Sequence, residues 1–334
     1  MAWADSALRT QCSRKRIERS VSSKRVLVTG AAGVIGRQLT SKLLESGAEV
    51  LSVDREPMPP GNWVDLHHEQ ADLSEMDLEV LTNFAPTAVF HLAASFERSE
   101  ESAAYWSVGW RDDVVASHRV IGALARQTEV ETFVFASSYL VYDPLSYLVK
   151  DSRTMPVAVD ESTQVAPRNL CGAGKYYTER ELRYVGHTSQ PDLRVVNARI
   201  FRVFGRGSRD VISRWVRAGI ADQPIEVFNR SNRFDYLFAD DVAETLVRLE
   251  GDSGASGIYN VGSGRATSID RVLAVMAQQG IAPQRISDTG ETAPFEASVA
   301  DISRLRAQIG WTPDTTLEEG IEALVEHELA GSDV

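Results

Sequence analysis

Cys171 and Lys175 stand four residues apart in 167-PRNLCGAGKYYTE-179. Positions i and i+4 share one face of a helix, so the thiol and the ammonium are expected to point into the same region. A neighbouring cation makes a thiol give up its proton more readily. Its free pKa of about 8.5 already lies below the roughly 10 of a tyrosine. The pair reads as a proton acceptor beside a fixed positive charge. The short cysteine side chain must then come within hydrogen-bond range of a substrate hydroxyl, directly or through one water. Tyr176 and Tyr177 follow at other angles around the helix. The competing reading is a small, inert core cysteine, with the chemistry done elsewhere.

A second constellation is 29-TGAAGVIG-36, which sets Gly30, Gly33 and Gly36 between a β-branched run and a helical one. Glycine permits the tight turn and lets a pyrophosphate approach the backbone. The helix start then offers the amides of Val34, Ile35 and Gly36 and a partial positive charge. Asp54 ends the next apolar run. A carboxylate there accepts hydrogen bonds from adenosine ribose hydroxyls and repels a 2′-phosphate, which predicts NAD rather than NADP. Arg55 follows directly and softens that preference. The alternative is an ordinary βα turn with a solvated strand end.

These residues need strand ends and helix starts to position them. Short apolar runs at 25-RVLVTG-30, 48-AEVLSVD-54, 88-AVFHLAA-94, 132-TFVFASS-138 and 194-RVVNARIF-201 read as buried parallel strands. Helical patterns lie between them at 34–47, near 74–84 and at 112–127. The alternation predicts an α/β fold of Rossmann type, a doubly wound parallel sheet covered on both faces. After about residue 200 the elements shorten, with helical runs from Ile269 and Leu317, which predicts a smaller mixed substrate lobe. The expected division is a mobile basic extension over 1–23, an NAD-binding domain over 24–200, and a lobe over 201–334 partly interleaved with it.

The formal net charge of −12 argues against a nucleic-acid or anionic-membrane partner. Two cysteines, Cys12 and Cys171, are too few for a disulfide framework and fit a reducing, cytoplasmic setting. No apolar run approaches the roughly 20 residues that span a bilayer. His67 and His68 beside Glu69 have no further ligands at metal spacing, so no metal is expected.

The glycine spacing G-x-x-G-x-x-G, with 71-ADLS-74, 91-HLAA-94, 133-FVFASSYLVY-142, 167-PRNLCGAGKYYTE-179, 199-RIFRVFG-205, 233-RFDYLFADDVA-243, 259-YNVGSG-264 and 310-GWTPDTTLEEGI-321, resembles the extended short-chain dehydrogenase/reductases. Within that superfamily it is similar to the nucleotide-sugar epimerases and dehydratases. The resemblance implies that Asp72 and Leu73 contact adenine and that Leu92, Ala93 and Ala94 line the cofactor. It implies catalytic roles for Ser138 and Lys175, with Lys175 also on the cofactor and Ser138 and Tyr139 on the substrate, and a homodimer formed through two helices per subunit. It also places a nucleoside diphosphate near 199-RIFRVFGRGSRD-210. Arginine forks suit phosphate oxygens, so Arg209 and Arg233 are expected on phosphate with Arg202 nearby. The alternative is surface pairing with Asp210, Asp235 or Asp240.

The departures are specific. Cys171 stands where the family pattern P-x-x-x-Y-G-x-x-K has tyrosine. Tyr139 and Leu140 replace the acidic pair that dehydrating relatives carry, which favours epimerisation, and Tyr139 is placed to reach the sugar. Arg202 replaces an asparagine. Three readings follow: an active epimerase whose base is Cys171, a water or Tyr139; an NAD- and nucleotide-sugar-binding partner protein without turnover; or a reductase or dehydratase of a related substrate, with NADPH pointing to the reductase.

Overall fold

The computed structural model describes residues 24–95, 102–281, 283, 286–288 and 290–332. The basic extension over 1–23, Cys12 included, lies outside the described residues. Alternating strands and helices fill the first half: β1 (Arg25–Thr29), α1 (Val34–Glu45), β2 (Glu49–Asp54), β3 (His67–Gln70), α2 (Glu79–Phe84) and β4 (Ala88–His91). A helical segment follows as α3 (Ala103–Gly109), a π-helical turn over Trp110–Val115, and α4 (Ala116–Leu124). Then come β5 (Thr132–Ser138), β6 (Leu148–Val149), α5 (Leu170–Thr188) and β7 (Arg194–Ile200).

The later elements are shorter: β8 (Arg202–Phe204), α6 (Val211–Ile220), β9 (Ile225–Val227), β10 (Arg233–Phe234), β11 (Tyr236–Phe238) and α7 (Ala239–Gly251). They continue through β12 (Gly257–Val261), β13 (Thr267–Ser268), α8 (Ile269–Gln278), β14 (Ile286–Asp288), β15 (Phe295–Ser298), α9 (Ser303–Ile309) and α10 (Leu317–Ser332).

Seven strands form one parallel sheet in the order β12-β7-β5-β4-β1-β2-β3. Both faces are buried, which explains the unbroken apolar strands. Val26 and Val28 join the core under α1 and α7, and Leu27 joins the opposite core under α4 and α5. The sheet takes its edge strand β12 and the helix α7 from beyond residue 200, so the late sequence returns to the early fold. A third core packs Phe204, Trp215, Tyr236 and Leu324 among α6, α8 and α10. Beside it a four-stranded sheet runs β13-β10-β15-β6.

The helical segment begins at Ala103, nine residues before its sequence pattern does. Its amphipathic signal is inverted. Trp106, Val108 and Trp110 are exposed while Asp112 and Asp113 are buried. Among the described residues no helix is long and apolar enough to cross a membrane.

Candidate active site

The strand order reverses between β1 and β4, and their carboxyl ends open a crevice of the kind that holds dinucleotides in doubly wound sheets. Gly30 takes a φ of +72°, and a Cβ there would lie 2.6 Å from the Ala93 amide nitrogen. A Cβ at Gly36 would lie 2.1 Å from the Gly30 carbonyl oxygen. Both positions require hydrogen. At Gly33 the same test meets only the Gly30 oxygen, at 3.2 Å, so that side of the loop is open. Gly33 caps α1 with no side-chain hydrogen bond, and the amides behind it have no intrahelical partner. The loop fits a pyrophosphate.

Asp54 accepts from the Ala32 amide at 2.9 Å and the Glu56 amide at 3.0 Å. It ties the glycine loop to the end of β2, and a carboxylate retains further lone pairs for a ribose. Arg55 lies 3.4 Å from Asp72 and 2.8 Å from Asp112. Burial works against the charge on Asp72, but hydrogen bonds from Ser74 and the nearby Arg55 hold its carboxyl below the usual range. The Leu73 carbonyl accepts from Arg119. Leu92 and Ala93 are fixed to Thr29 through their amides, and Ala94 is exposed.

His91 is wholly buried beneath this crevice. Its Nδ1 lies 2.6 Å from the Thr29 hydroxyl and its Nε2 2.8 Å from the Ser117 hydroxyl. Ser117 already donates its one proton to the Asp113 carbonyl, so Nε2 donates and Nδ1 accepts. Burial, with help from Lys175, pushes the His91 pKa down to about 3, which keeps the ring neutral.

Helix α5 begins at Asn169, whose side chain accepts from the Gly172 amide at 2.9 Å. Two glycines bring it close. A Cβ at Gly172 would strike the Leu140 carbonyl, and one at Gly174 would crowd Asp113. Cys171 and Lys175 share the buried face, at 6% and 7% exposure. Lys175 donates to the Ala136 carbonyl at 2.7 Å and lies over the Phe135 ring. Burial lowers its pKa, and the attraction of Asp113 and Cys171 opposes that. Asp113, buried in the π-helical turn, accepts from the Ser95 amide at 2.6 Å and from its hydroxyl. Burial pushes its carboxyl up and Lys175 opposes the push. Ser138 ends β5, two residues past the carbonyl that Lys175 holds, and its hydroxyl accepts from the Leu140 amide.

Among the expected substrate residues the structure draws distinctions. Tyr139 is 3% exposed, stacks on Phe201, and donates to Glu296 at 3.0 Å. Arg202 lies 3.5 Å from Glu296 with its guanidinium 4.1 Å over Phe234. Arg233 stands next to Phe234 on β10 and so points to the opposite face, donating to the Thr154 carbonyl at 3.1 Å. Arg209 is exposed beside Asp210, which is engaged in capping α6. Arg206 pairs with Asp240 at 2.6 Å. Sequence reasoning had not singled out Asp113, Arg168, Phe234 or Glu296. An adjacent acid pair in a helical stretch, 112-DD-113, was the one signal available for the first.

A dinucleotide crevice over a buried thiol–ammonium pair, with a serine at the next strand end, defines a Rossmann-type protein of the short-chain dehydrogenase/reductase kind. The chain matches the NAD dependent epimerase/dehydratase family over residues 26–262. It is 31% identical to a UDP-glucose 4-epimerase of Mycolicibacterium smegmatis, across 90% of this chain and 97% of that one. A dTDP-L-rhamnose 4-epimerase of Burkholderia thailandensis is 25% identical, across 91% and 94%. Among solved structures it is similar to MoeE5 in complex with UDP-glucose and NAD, at 30% identity and a TM-score of 0.80, over 92% of this chain and 99% of that one. MoeE5 in complex with UDP-glucuronic acid and NAD matches equally. The chain belongs to the NAD-dependent epimerase/dehydratase family.

Proposed function

We propose that the chain epimerises a nucleotide sugar with NAD as cofactor and with Ser138, Cys171 and Lys175 as its catalytic residues. Bound NAD supplies a hydride acceptor for the sugar carbon that loses its hydroxyl proton, and the returned hydride resets that carbon. Ser138 orients the sugar hydroxyl. Cys171 takes the proton, directly or through one water. Lys175 fixes a positive charge beside the thiol, and the attraction of Asp113 opposes the loss of that charge on burial. The observation that carries this reading is the burial of Cys171 and Lys175 together on one face of α5, below the end of β5. Epimerisation is favoured over dehydration because Tyr139 and Leu140 supply no acid next to Ser138.

Rapid mixing of the NAD-loaded protein with UDP-glucose, UDP-glucuronate and dTDP-rhamnose tests it. A transient of reduced nicotinamide is expected with at least one sugar. The second reading, a binding partner without turnover, is supported by the core position of Cys171 and predicts tight NAD binding with no such transient for any sugar.

We also propose a homodimer through α5 and the α3–π segment. Trp106 and Trp110 stack at 6.1 Å and Tyr177 lies 6.3 Å from Trp110, all about half exposed. Contiguous exposed aromatics of this kind mark an interface. Replacing Trp106 and Trp110 with glutamate should convert dimer to monomer in analytical ultracentrifugation. A wild-type monomer at micromolar concentration would contradict the assignment.

A further inference from the structure

Arg55 directly follows Asp54, the carboxylate at the end of β2. An arginine at such a place can accommodate the 2′-phosphate of NADP in a doubly wound sheet. Here its guanidinium is committed elsewhere. Nε lies 3.4 Å from Asp72 Oδ2, and Nη2 lies 2.8 Å from Asp112 Oδ1. The other Asp72 oxygen accepts from the Ser74 amide at 2.8 Å and its hydroxyl at 2.7 Å, which fixes the carboxylate that faces Arg55. The main chain is fixed as well. Gln70 donates to the Arg55 carbonyl at 3.1 Å, and the Ala71 amide donates to the Asp54 carbonyl at 2.8 Å. Only the Arg55 side chain is left to choose a direction, and two carboxylates choose it.

Asp112 is the unusual member of the group. It is 4% exposed and sits in the π-helical turn, and such turns inside α-helices are frequent at functional sites. Its Oδ1 also accepts from Arg111 Nε at 2.8 Å. The next residue, Asp113, is equally buried and faces Ser95 and Lys175. One turn thus sets two adjacent carboxylates against two different cations, Arg55 after β2 and Lys175 on α5. Asp72 and Asp112 occupy the guanidiniums of Arg55 and Arg111 between them. A 2′-phosphate arriving beside Asp54 meets its negative charge, and both of these guanidiniums are already paired.

We propose that Asp112, together with Asp72, is a cofactor-specificity residue: it holds Arg55 away from the ribose 2′ position, so the chain selects NAD over NADP by withholding a cation as well as through the charge of Asp54. The inference rests on the dinucleotide crevice and is independent of the sugar chemistry. Giving Arg55 to a 2′-phosphate would leave the buried Asp112 with Arg111 alone, and a buried charge that loses a partner is costly. The competing account is that these contacts, whose guanidiniums are nearly half exposed, are surface ion pairs of little consequence.

Calorimetric titration of the full chain with NAD and with NADP tests this in the wild type and three variants. Arg55→Met should leave NADP affinity within about twofold of the wild type, because the guanidinium contributes nothing to it. Asp112→Asn keeps the size of the side chain and frees Arg55. NADP should then bind about tenfold more tightly, equivalent to about 1.4 kcal/mol, with NAD affinity within about twofold. The double variant Asp112→Asn with Arg55→Met should lose that gain. An Asp112→Asn variant that binds NAD normally and NADP no better than the wild type does would overturn the proposal. A gain that persists in the double variant would assign it to the lost charge of Asp112 rather than to Arg55, and also overturn it. Loss of both cofactors alike in Asp112→Asn would make Asp112 a structural support and overturn it too. Arg55→Met keeps the question open to refutation even where Asp112→Asn does not fold: a tenfold or greater loss of NADP affinity there would show that Arg55 already serves the 2′-phosphate.

Discussion

The glycine loop after β1 and the first turns of α5 both bound the crevice, but they work through different parts of the chain. In the loop the backbone does the work. Gly30 and Gly36 matter for the side chains they lack, because a Cβ would collide with Ala93 and with the loop's own carbonyl. Any ligand with a pyrophosphate finds the same amides. On α5 the proposed chemistry rests on side chains, so one changed residue would alter it and leave the fold in place. Cys171 occupies its helical position without disturbing the Asn169 cap or the Gly172 and Gly174 contacts. A binding half fixed by backbone geometry thus sits beside the proposed reacting half, which can change residue by residue.

Breaking the reacting half should leave the binding half intact. Lys175→Met keeps the packing over Phe135 and removes the charge. Turnover should fall by about 10²–10⁴-fold, the range for lost general acid–base assistance, with a lower melting temperature because the buried Asp113 loses the opposite charge beside it. Equal turnover in steady-state assays would detach Lys175 from the chemistry.

The converse change is Gly36→Ala. The added carbon, 2.1 Å from the Gly30 oxygen, forces the loop to rebuild. NAD affinity should drop by roughly 100-fold, about 2.7 kcal/mol, measured by calorimetry. Gly33→Ala meets one atom at 3.2 Å and should cost less for the loop itself. A larger drop in melting temperature for Gly33→Ala than for Gly36→Ala would mean that the loop is not shaped as described.

Much of the binding half was legible in the sequence because backbone demands leave a spacing. Three glycines at intervals of three, and an aspartate at the next strand end, suffice. The reacting half was legible only where residues lie close in sequence, as Cys171 and Lys175 do. Arg168, Arg202 and Glu296 meet across 128 positions, and no periodicity announces such a meeting. The early start of α3 was hidden for another reason. Its exposed tryptophans and buried aspartates invert the pattern from which a helix face is read. Arg233 is expected on phosphate from its motif, and strand alternation sets it on the face opposite Phe234, which lies under Arg202.

His91 joins the halves, since it touches Thr29 under the loop and Ser117 beside Asp113. Its folded pKa of about 3 lies below the roughly 6.5 of an unfolded chain. The unfolded state therefore takes up the proton first as pH falls. The stability contributed by a neutral His91 is full above about pH 6.5 and is lost progressively toward pH 3, with a slope of up to about 1.4 kcal/mol per pH unit. Denaturant unfolding at stepped pH measures it, and His91→Asn should flatten that part of the profile. An unchanged slope in the variant would assign it to other groups.

The smallest effect sharpens cofactor choice. Asp54→Asn keeps a side chain able to accept from the Ala32 amide but removes the charge that repels a 2′-phosphate. The ratio of NAD to NADP affinity should narrow by about tenfold, read by competitive titration. A ratio that does not move would place the discrimination on Arg55 or elsewhere.

The central claim is that the Cys171 thiol performs the proton transfer. Proton NMR of UDP-glucose, UDP-glucuronate and dTDP-rhamnose, each incubated with NAD-loaded protein, follows C4 epimer formation directly, in the wild type and in Cys171→Ala. The account predicts epimer with the wild type and a rate lower by at least about 100-fold in the variant, with NAD affinity unchanged within twofold. Equal rates in the two proteins, or no epimer from a wild type that binds both ligands tightly, would contradict it.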